Sequence, residues 1–465
     1  MLTLNFIHPL KDAYAVELKR RGNDGGFFTR VFCQNEFEHA GLVFYIVQMN
    51  NSLSAKEAVG RLRCRSCGHD DLTRVLDLGR LPLANALLLT EQLHEPEDRF
   101  PLELFFCPQC ALVQIGETVP PDRLFYDYAY ASSFSDSMVE HARLLVEALI
   151  GSRGLGSASL VVEIASNDGY LLQFYKARGI PVLGIEPAAN IAALATAKGI
   201  PTLTEFFEEE LAHRLAAQGR RADVIHAHNV FAHVPDPNRF VAGIAALLER
   251  SGVAIIEAPY VRDLIDKLEF DTIYHEHFSY YSVSAVAGLC ARHGLVIADV
   301  EHVPIHGGSL RLFITHAGEP TSQRVVDFLS GEKSAGLLAF DYYRDFGRQV
   351  AALKEELLAV LWRLKGERRS IAAYGASAKG STLMNAFGID GRLIDFVVDR
   401  SSLKQGRFTP GNRLPILPPE ALLERRPDYV LLLTWNFATE ILTQQREFRR
   451  LGGKFIVPVP EVKVV

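Results

Sequence analysis

The sequence predicts an α/β protein with a central doubly wound sheet, a small cysteine-rich module ahead of it and a second parallel α/β unit behind it. Three observations carry this. From residue 155 to 260, apolar strand-like runs alternate with helical patterns, which is the signature of a parallel sheet with crossover helices. Two C-x-x-C pairs sit close together before that array. A strand, glycine turn and helix recur in "SIAAYGASAKGSTLMNAFG" (370–388). A chain of 465 residues exceeds one ordinary core, so two or three domains are expected.

Composition excludes several classes. Hydrophobic residues make up 48% and charged residues 22%, with a net charge of −6, a globular balance. No Lys/Arg-rich run argues for nucleic acid or a membrane surface. No apolar run reaches the roughly 18 residues of a spanning helix, and the N-terminus lacks the apolar stretch of a signal peptide. The expectation is a cytoplasmic chain. Residues 1–58 show little periodicity apart from the "NDGG" turn and a short strand-like "LVFYIVQ" (42–48). Met49 offers an alternative start, and the sequence leaves open whether residues 1–48 belong to the native protein.

The block 59–125 carries Cys64, Cys67, Cys107 and Cys110, four of the six cysteines. Each C-x-x-C suits a knuckle turn, and two such pairs predict one structural zinc ion held by four thiolates. A closed four-thiolate site leaves no open position, so no catalytic role is expected of it. Cys33 and Cys290 have no motif around them. Next, "YDYAYASSFSDSMVEHARLLVEAL" (126–149) reads as an aromatic, serine-rich loop and then an amphipathic helix through Met138, Ala142, Leu145 and Leu149.

In the central array, "SLVVEIA" (159–165), "PVLGIEP" (181–187), "ADVIHAHNV" (222–230) and "VAIIEAP" (253–259) are strands. The helices are "YLLQFYKARG", "AANIAALATAKG" and "DPNRFVAGIAALLERSG". Ligands of such sheets sit beyond the carboxyl ends of the strands. Glu163 lies near the end of the first strand and Glu186 ends the second, where a carboxylate accepts ribose hydroxyls. The turn Ser166-Asn167-Asp168-Gly169 lacks G-x-G-x-x-G. That weakens a dinucleotide, whose pyrophosphate needs backbone amides, and suits S-adenosylmethionine, which has no phosphate.

"DTIYHEHFSYYS" (271–282) packs His275, Glu276 and His277 among tyrosines. It lacks the H-E-x-x-H spacing of a zincin. The alternatives are a proton-transfer site and a polar structural corner. Further on, "SVSAVAGLCARHG" is a helix, "HGGSLRLFIT" (306–315) a glycine turn into a strand carrying Arg311, and 348–367 a long amphipathic helix. "YGASAKGS" lacks the Gly-Lys-[Ser/Thr] order of a P-loop. Gly375, Gly380, the helix N-terminus and Lys379 still favour an anion, in a Rossmann-like domain whose other strands end near Asp399, Thr434 and Asn436.

Taken in order, "CRSC…CPQC", "YAYASSFSDSMVEH", "VVEIASNDGYLL", "GIEPAANIA", "HNVFAHVPD", "YHEHFSYYS" and "YGASAKGSTLMN" resemble the sugar C-methyltransferases, which methylate a ring carbon of nucleotide-linked keto deoxysugars. The resemblance covers residues 60–465. It implies a zinc module (59–125), a class I methyltransferase-like domain binding S-adenosylmethionine (126–300) and a C-terminal sugar-nucleotide domain (301–465). It implies that Glu163, Asn167, Gly169 and Glu186 surround the methyl donor, together with Ser166 and Asp168 of the turn, and that His228 and Asn229 lie nearby. It implies that the loop around Tyr128 and Ser133 closes over donor and sugar, and that the C-terminal domain helps hold the nucleotide diphosphate and base. Arg311, Lys379, Thr434 and Asn436 are the candidate substrate contacts there.

Methylating carbon requires removal of a proton beside the keto group, and an imidazole suits that task near neutral pH. The resemblance favours His277 as the base. His233 is the rival, and the sequence alone does not choose between them. Tyr274 is the candidate donor to the developing oxyanion, and Glu276 a residue that orients a histidine or binds the sugar. An NAD-dependent sugar-nucleotide oxidoreductase is the alternative activity. The sugar, the base, the ring carbon and the oligomeric state stay open.

Overall fold

The computed structural model describes residues 4–10, 13–18, 62–120, 132–305 and 307–465. The chain forms two units, 1–60 and 61–465. In the first, strands β1 (Leu4–Leu10) and β2 (Ala13–Leu18) pair antiparallel. The "NDGG" turn, the strand expected at 42–48 and Tyr128 lie outside the described residues.

The larger unit opens with the cysteine module. Strands β3 (Thr73–Leu81), β4 (Phe100–Phe106) and β5 (Val113–Ile115) form an antiparallel sheet. Two equivalent knuckles flank it. Gly68 N–H donates to the Cys64 carbonyl and Ala111 N–H to that of Cys107, each at 2.9 Å. The residue after each pair must turn left-handed, with φ of 77° at Gly68 and 59° at Ala111. Glycine adopts that conformation without strain. The four Sγ atoms converge within 4.8 Å of one another, with Cys64–Cys110 at 3.4 Å and Cys67–Cys107 at 3.6 Å. A tetrahedral zinc with Zn–S bonds of about 2.3 Å sets its sulfurs roughly 3.8 Å apart, so this donor set fits the ion.

The central sheet contains β6 (Val161–Ile164), β7 (Val182–Ile185), β8 (Thr202–Leu203), β9 (Ala222–His228) and β10 (Leu248–Pro259). After the short β11 (Ser279–Tyr280) it is completed by β12 (Leu295–Val303) and β13 (Ser309–His316). The order is β12-β13-β10-β9-β6-β7-β8. The five strands from β10 to β8 are parallel, and β13 runs antiparallel between β10 and β12. Numbered along the domain, this is 3-2-1-4-5-7-6, the class I methyltransferase-like sheet, with a mixed edge that the expected all-parallel array lacked.

One boundary differs from expectation. The helix after Asp236 ends at Leu247, because Leu248 already pairs with Ala222 and "LERSG" feeds β10 through a register shift. Strand β13, which falls in the 301–465 segment expected as the C-terminal domain, pairs into the central sheet. The strand pairs along its length with both β10 and β12, which anchors it more firmly than its place in the sequence suggests.

The last domain stacks β14 (Ile371–Tyr374), β15 (Val397–Val398), β16 (Ile416–Leu417), β17 (Tyr429–Leu432), β18 (Lys454–Val457) and β19 (Lys463–Val464) in the order β16-β15-β14-β17-β18-β19. All but β19 are parallel, a Rossmann-type order. The helix Phe346–Gly366 leads into it and buries Val350, Leu353, Leu357, Leu361 and Leu364, the face that its 3–4 spacing predicts. Among the described residues no helix is long and apolar enough to cross a membrane.

The cysteine module is stitched to both neighbours. Strand β11 adds to its sheet through Ser279–Gln114 and Tyr280–Val113. Asn238 donates to the carbonyls of Arg65 and Ser66 in the first knuckle, and Arg292 also donates to the Ser66 carbonyl. On the other side, Glu97 accepts from Arg413 and from the Gly411 amide. Because metal binding here is folding free energy, Cys110→Ser is expected to lower zinc from about one ion per chain to none. Thermal unfolding should then begin earlier, and both are read by metal analysis and calorimetry on the same sample.

Candidate functional site

A cavity of about 1120 Å³ lies beyond the carboxyl ends of β6, β7 and β9 and is walled by all three parts of the larger unit. The cysteine module contributes Asn85, and the C-terminal domain contributes Gly375, Ser377, Lys379, Asp399, Thr434 and Asn436. This volume exceeds the roughly 300–1,000 Å³ of a pocket for one small ligand.

On the central sheet the cavity wall includes Asn167, Glu186, His228 and Asn229. Asn167 (φ 50°) is in the left-handed region, which turns the chain sharply at the end of β6. Its side-chain carbonyl accepts from Ser132 N–H at 2.8 Å, pinning the start of the turn Ser132–Phe134. Glu186 accepts from the amides of Asn167 (3.0 Å) and Ala188 (2.9 Å). Burial raises its pKa, and the two amides oppose that rise.

Four members of the predicted donor set sit behind this wall. Glu163 is buried mid-sheet, and burial pushes its carboxyl well above the usual range, with Asp168 and Glu186 adding to the effect. Ser166 packs against β7, where a Cβ on Gly184 would lie 2.5 Å from its Oγ. Asp168 pairs with Lys198 at 2.8 Å. Gly169 (φ 76°) leaves no room for a side chain, since a Cβ would meet Ile200 at 2.3 Å. Glu163 lies within β6 itself, and for the other three the reason is common. A strand-end turn offers only some of its residues to the crevice, and the others must pack or pair beneath it.

His228 lines the cavity, yet both its nitrogens are engaged inside the sheet. Nδ1 lies 3.0 Å from Glu257, and Nε2 lies 2.9 Å from His226 Nδ1, whose Nε2 meets the Tyr175 hydroxyl at 2.9 Å. His228 therefore offers the cavity its ring rather than a nitrogen. Arg311 lies elsewhere. It binds Glu257 (2.6 Å) and Glu301 (2.9 Å) and lines a separate cavity of about 440 Å³ with His141. The sequence placed it correctly on β13, but the antiparallel pairing Glu257–Arg311 turns it to an ion pair within the sheet. Ser133 is half-buried in a 3-10 turn, and its neighbours Ser132 and Ser135 are the ones in the cavity wall.

The segment 271–282 serves two purposes. His275 is the polar corner. Its Nε2 lies 3.2 Å from the carbonyls of Phe100 and Pro101 on β4, and its pKa is lowered by burial. Glu276, His277 and Tyr274 face the cavity. His277 Nδ1 is 2.9 Å from the Thr272 carbonyl, which can only accept, so Nδ1 carries the hydrogen. Nε2 is then the lone-pair nitrogen and accepts from the Tyr274 hydroxyl at 2.7 Å. His233 meets His277 edge to face with ring centres 4.6 Å apart. Burial lowers its pKa to about 4.

Glu276 accepts from Asn85 Nδ2 at 2.8 and 3.0 Å. Burial raises its pKa to about 7, against the opposing effects of Asn85 and Lys404. Asn85 was missed by the sequence reading. It lies in "PLANALLL", where nothing marks it as a site residue.

In the C-terminal domain, Gly375 (φ 99°) abuts Thr434, where a Cβ would come within 2.5 Å of the threonine methyl. Ser377 caps the helix Ala378–Phe387 by accepting from Gly380 N–H at 3.1 Å. Lys379 Nζ stands 4.7 Å from the centre of the Trp435 ring. Asp399 accepts from the amides of Ala376 and Ser401, each at 2.8 Å. It repeats the position of Glu186 at the end of the second strand of its sheet.

Three family models match the chain: a zinc binding domain over residues 64–125, a methyltransferase domain over 138–300 and a C-methyltransferase C-terminal domain over 304–460. The C-methyltransferase NovU of Streptomyces niveus is 37% identical over 404 residues, spanning 86% of this chain and 96% of NovU. Among solved structures, a protein of Pyrococcus horikoshii OT3 is 14% identical, with a TM-score of 0.34 over 43% of this chain and 100% of its own. The magnesium protoporphyrin IX methyltransferase of Synechocystis PCC 6803, with bound SAM, is 17% identical, with a TM-score of 0.30 over 42% of this chain and 87% of its own.

Glu276 titrates higher in the fold than its ordinary value of 4.5, so the native state holds the extra proton between about pH 4.5 and 7. Stability is lost as pH rises through that window. Glu276→Gln is expected to remove its share of the loss, on the order of 3 kcal/mol, which urea titrations at pH 5 and pH 8 measure.

Proposed function

The chain belongs to the C-methyltransferase family, and on that premise we propose that it methylates a ring carbon of a nucleotide-linked keto deoxysugar after removing a proton beside the ketone. It is an S-adenosylmethionine-dependent enzyme with a structural zinc module, so methyl transfer is the activity and the oxidoreductase alternative is set aside. The observation that carries the substrate reading is the single cavity in which Asn167 and Glu186, the Tyr274–His277 pair, and Ser377 and Lys379 of a second βαβ unit meet. One side suits the donor, the other an anionic nucleotide, and the proton acceptor lies in the shared wall.

The donor supplies an electrophilic methyl group on a sulfonium sulfur. Glu186 is the group to bind its ribose hydroxyls, and Asn167 the turn residue beside its amino acid end. On the substrate side, Ser377 and the amides at the start of the helix Ala378–Phe387, together with Lys379, supply the field for a diphosphate. Thr434 and Asn436 supply polar contacts in the same wall.

His277 acts as the base. Its hydrogen is fixed on Nδ1 by Thr272, which leaves the Nε2 lone pair for a carbon-bound proton. When the keto sugar enters, the Tyr274 hydrogen bond passes from Nε2 to the keto oxygen. This frees the base and places a donor where enolate charge develops. The proton passes to His277 Nε2 and the C–H electron pair becomes the enolate; that pair would form the new carbon–methyl bond as the methyl–sulfonium bond breaks, its electrons staying on sulfur as a thioether. His233, held neutral by burial, is the weaker proton acceptor and buttresses the ring of His277.

In deuterated water with a non-reactive donor analogue, the enzyme is expected to wash deuterium into the carbon beside the ketone, and His277→Ala to abolish this. Exchange surviving in His277→Ala and lost in His233→Ala would reverse the two roles. Glu186→Ala is expected to raise the Kd for S-adenosylmethionine by one to two decades, about 1.5–3 kcal/mol, with unchanged affinity by calorimetry as the contrary result. Lys379→Ala is expected to weaken sugar-nucleotide binding and spare the donor.

A further inference from the structure

We propose that Trp435 is a positioning residue for the proton acceptor: its indole N–H, acting through Asp271 and the Thr272 carbonyl, sets the ring of His277 from the C-terminal domain. This rests on the reading of His277 as the base.

Trp435 stands in the 3-10 turn that follows β17 and takes no part in the cavity wall. Its Nε1–H donates to Asp271 Oδ2 at 2.7 Å. Asp271 is fully buried, and a buried carboxylate is costly unless paired. Burial raises its pKa, and Lys379 and then the Trp435 hydrogen bond oppose the rise. Asp271 is the middle residue of the 3-10 turn Phe270–Thr272. The last residue of that turn presents the carbonyl that holds His277 Nδ1–H.

The C-terminal domain grips the residue before Asp271 as well. Phe270 stacks on Phe387, with ring centres 4.7 Å apart and planes 13° from parallel. Phe387 closes the helix that carries Lys379 near its start, and the Lys379 ammonium lies over the Trp435 ring. One helix and one indole thus fix the turn that fixes the base. A diphosphate drawing on Lys379 would act on the face of the same indole, so the anion side of the cavity and the proton acceptor share a support.

The test is the deuterium wash-in assay applied to Trp435→Phe, which keeps a ring under Lys379 and removes the N–H. Exchange is expected to fall roughly ten-fold or more and its acid limb to shift, while the Kd for S-adenosylmethionine stays at the wild-type value; the Tm falls in Trp435→Phe, because buried Asp271 loses a partner. Asp271→Asn, whose amide oxygen still accepts the indole N–H, should recover most of the rate that Asp271→Ala loses. His277→Ala serves as the reference. If it still exchanges, the base assignment has failed. If it does not, and Trp435→Phe exchanges at the wild-type rate with an unshifted profile, the positioning role has failed. A parallel fall in donor binding in Trp435→Phe also overturns it, because that pattern marks a general anchor.

Discussion

The Thr272 carbonyl accepting the Nδ1–H of His277 is the hydrogen bond that decides which nitrogen of this cavity-wall imidazole keeps its lone pair. A neutral imidazole has one lone-pair nitrogen, and which one it is depends on what the other nitrogen touches. A backbone carbonyl has no hydrogen to give, so the contact leaves one answer. Because that carbonyl belongs to a turn held by Phe387 and Trp435, a local feature of the central domain is fixed by a domain more than a hundred residues later in the chain.

The buried acids of the central region illustrate how partners decide ionisation. Glu257 and Glu276 are both nearly inaccessible to solvent. Glu257 has Arg311, His228 and His141 within hydrogen-bond reach, and these hold its carboxyl well below the usual range despite burial. Glu276 has the neutral amide of Asn85, so burial prevails and its pKa is raised to about 7. Glu269 behaves similarly. Burial raises it to about 7 even though Lys379 opposes the rise. Glu257 is held towards its ionised form by partners on neighbouring elements, and Glu276 in the cavity wall can exchange a proton near neutral pH.

The cysteine module does more than cap the chain. Its first knuckle is held by Asn238 and Arg292, and its Asn85 reaches Glu276 in the cavity wall. Strand β4 supplies the carbonyls against which His275 rests. A metal centre with no open coordination position therefore acts on the site by shape, since the ion orders a small sheet whose β3–β4 connection carries Asn85 to the cavity wall.

The sequence by itself determined the parts whose physics is local. Alternating apolar runs and helical periods fixed the order of the central strands. The two C-x-x-C pairs fixed the thiolate cluster, because knuckle geometry depends on a few adjacent residues. Glu186 and Lys379 were legible as residues of the cavity wall, because a carboxylate at the end of the second strand and the first turn of a helix after a glycine turn both lie at the crevice beyond the strand ends. Tertiary structure decided the rest. It buried Ser166 and Asp168 behind the wall that Asn167 joins, because the direction of a turn residue follows from what packs beneath it, and Glu163 inside β6 between two neighbouring strands. It placed β13 in the central sheet and turned Arg311 to Glu257, because strand pairing is a long-range choice. It gave His275, Glu276 and His277 three different tasks, since the groups that distinguish them come from Phe100, Asn85 and Thr272, and only the last is close in sequence. Trp435 and Asp271 lie 164 residues apart, a separation at which side-chain pairing has no local signature, so their hydrogen bond exists only once the domains have packed.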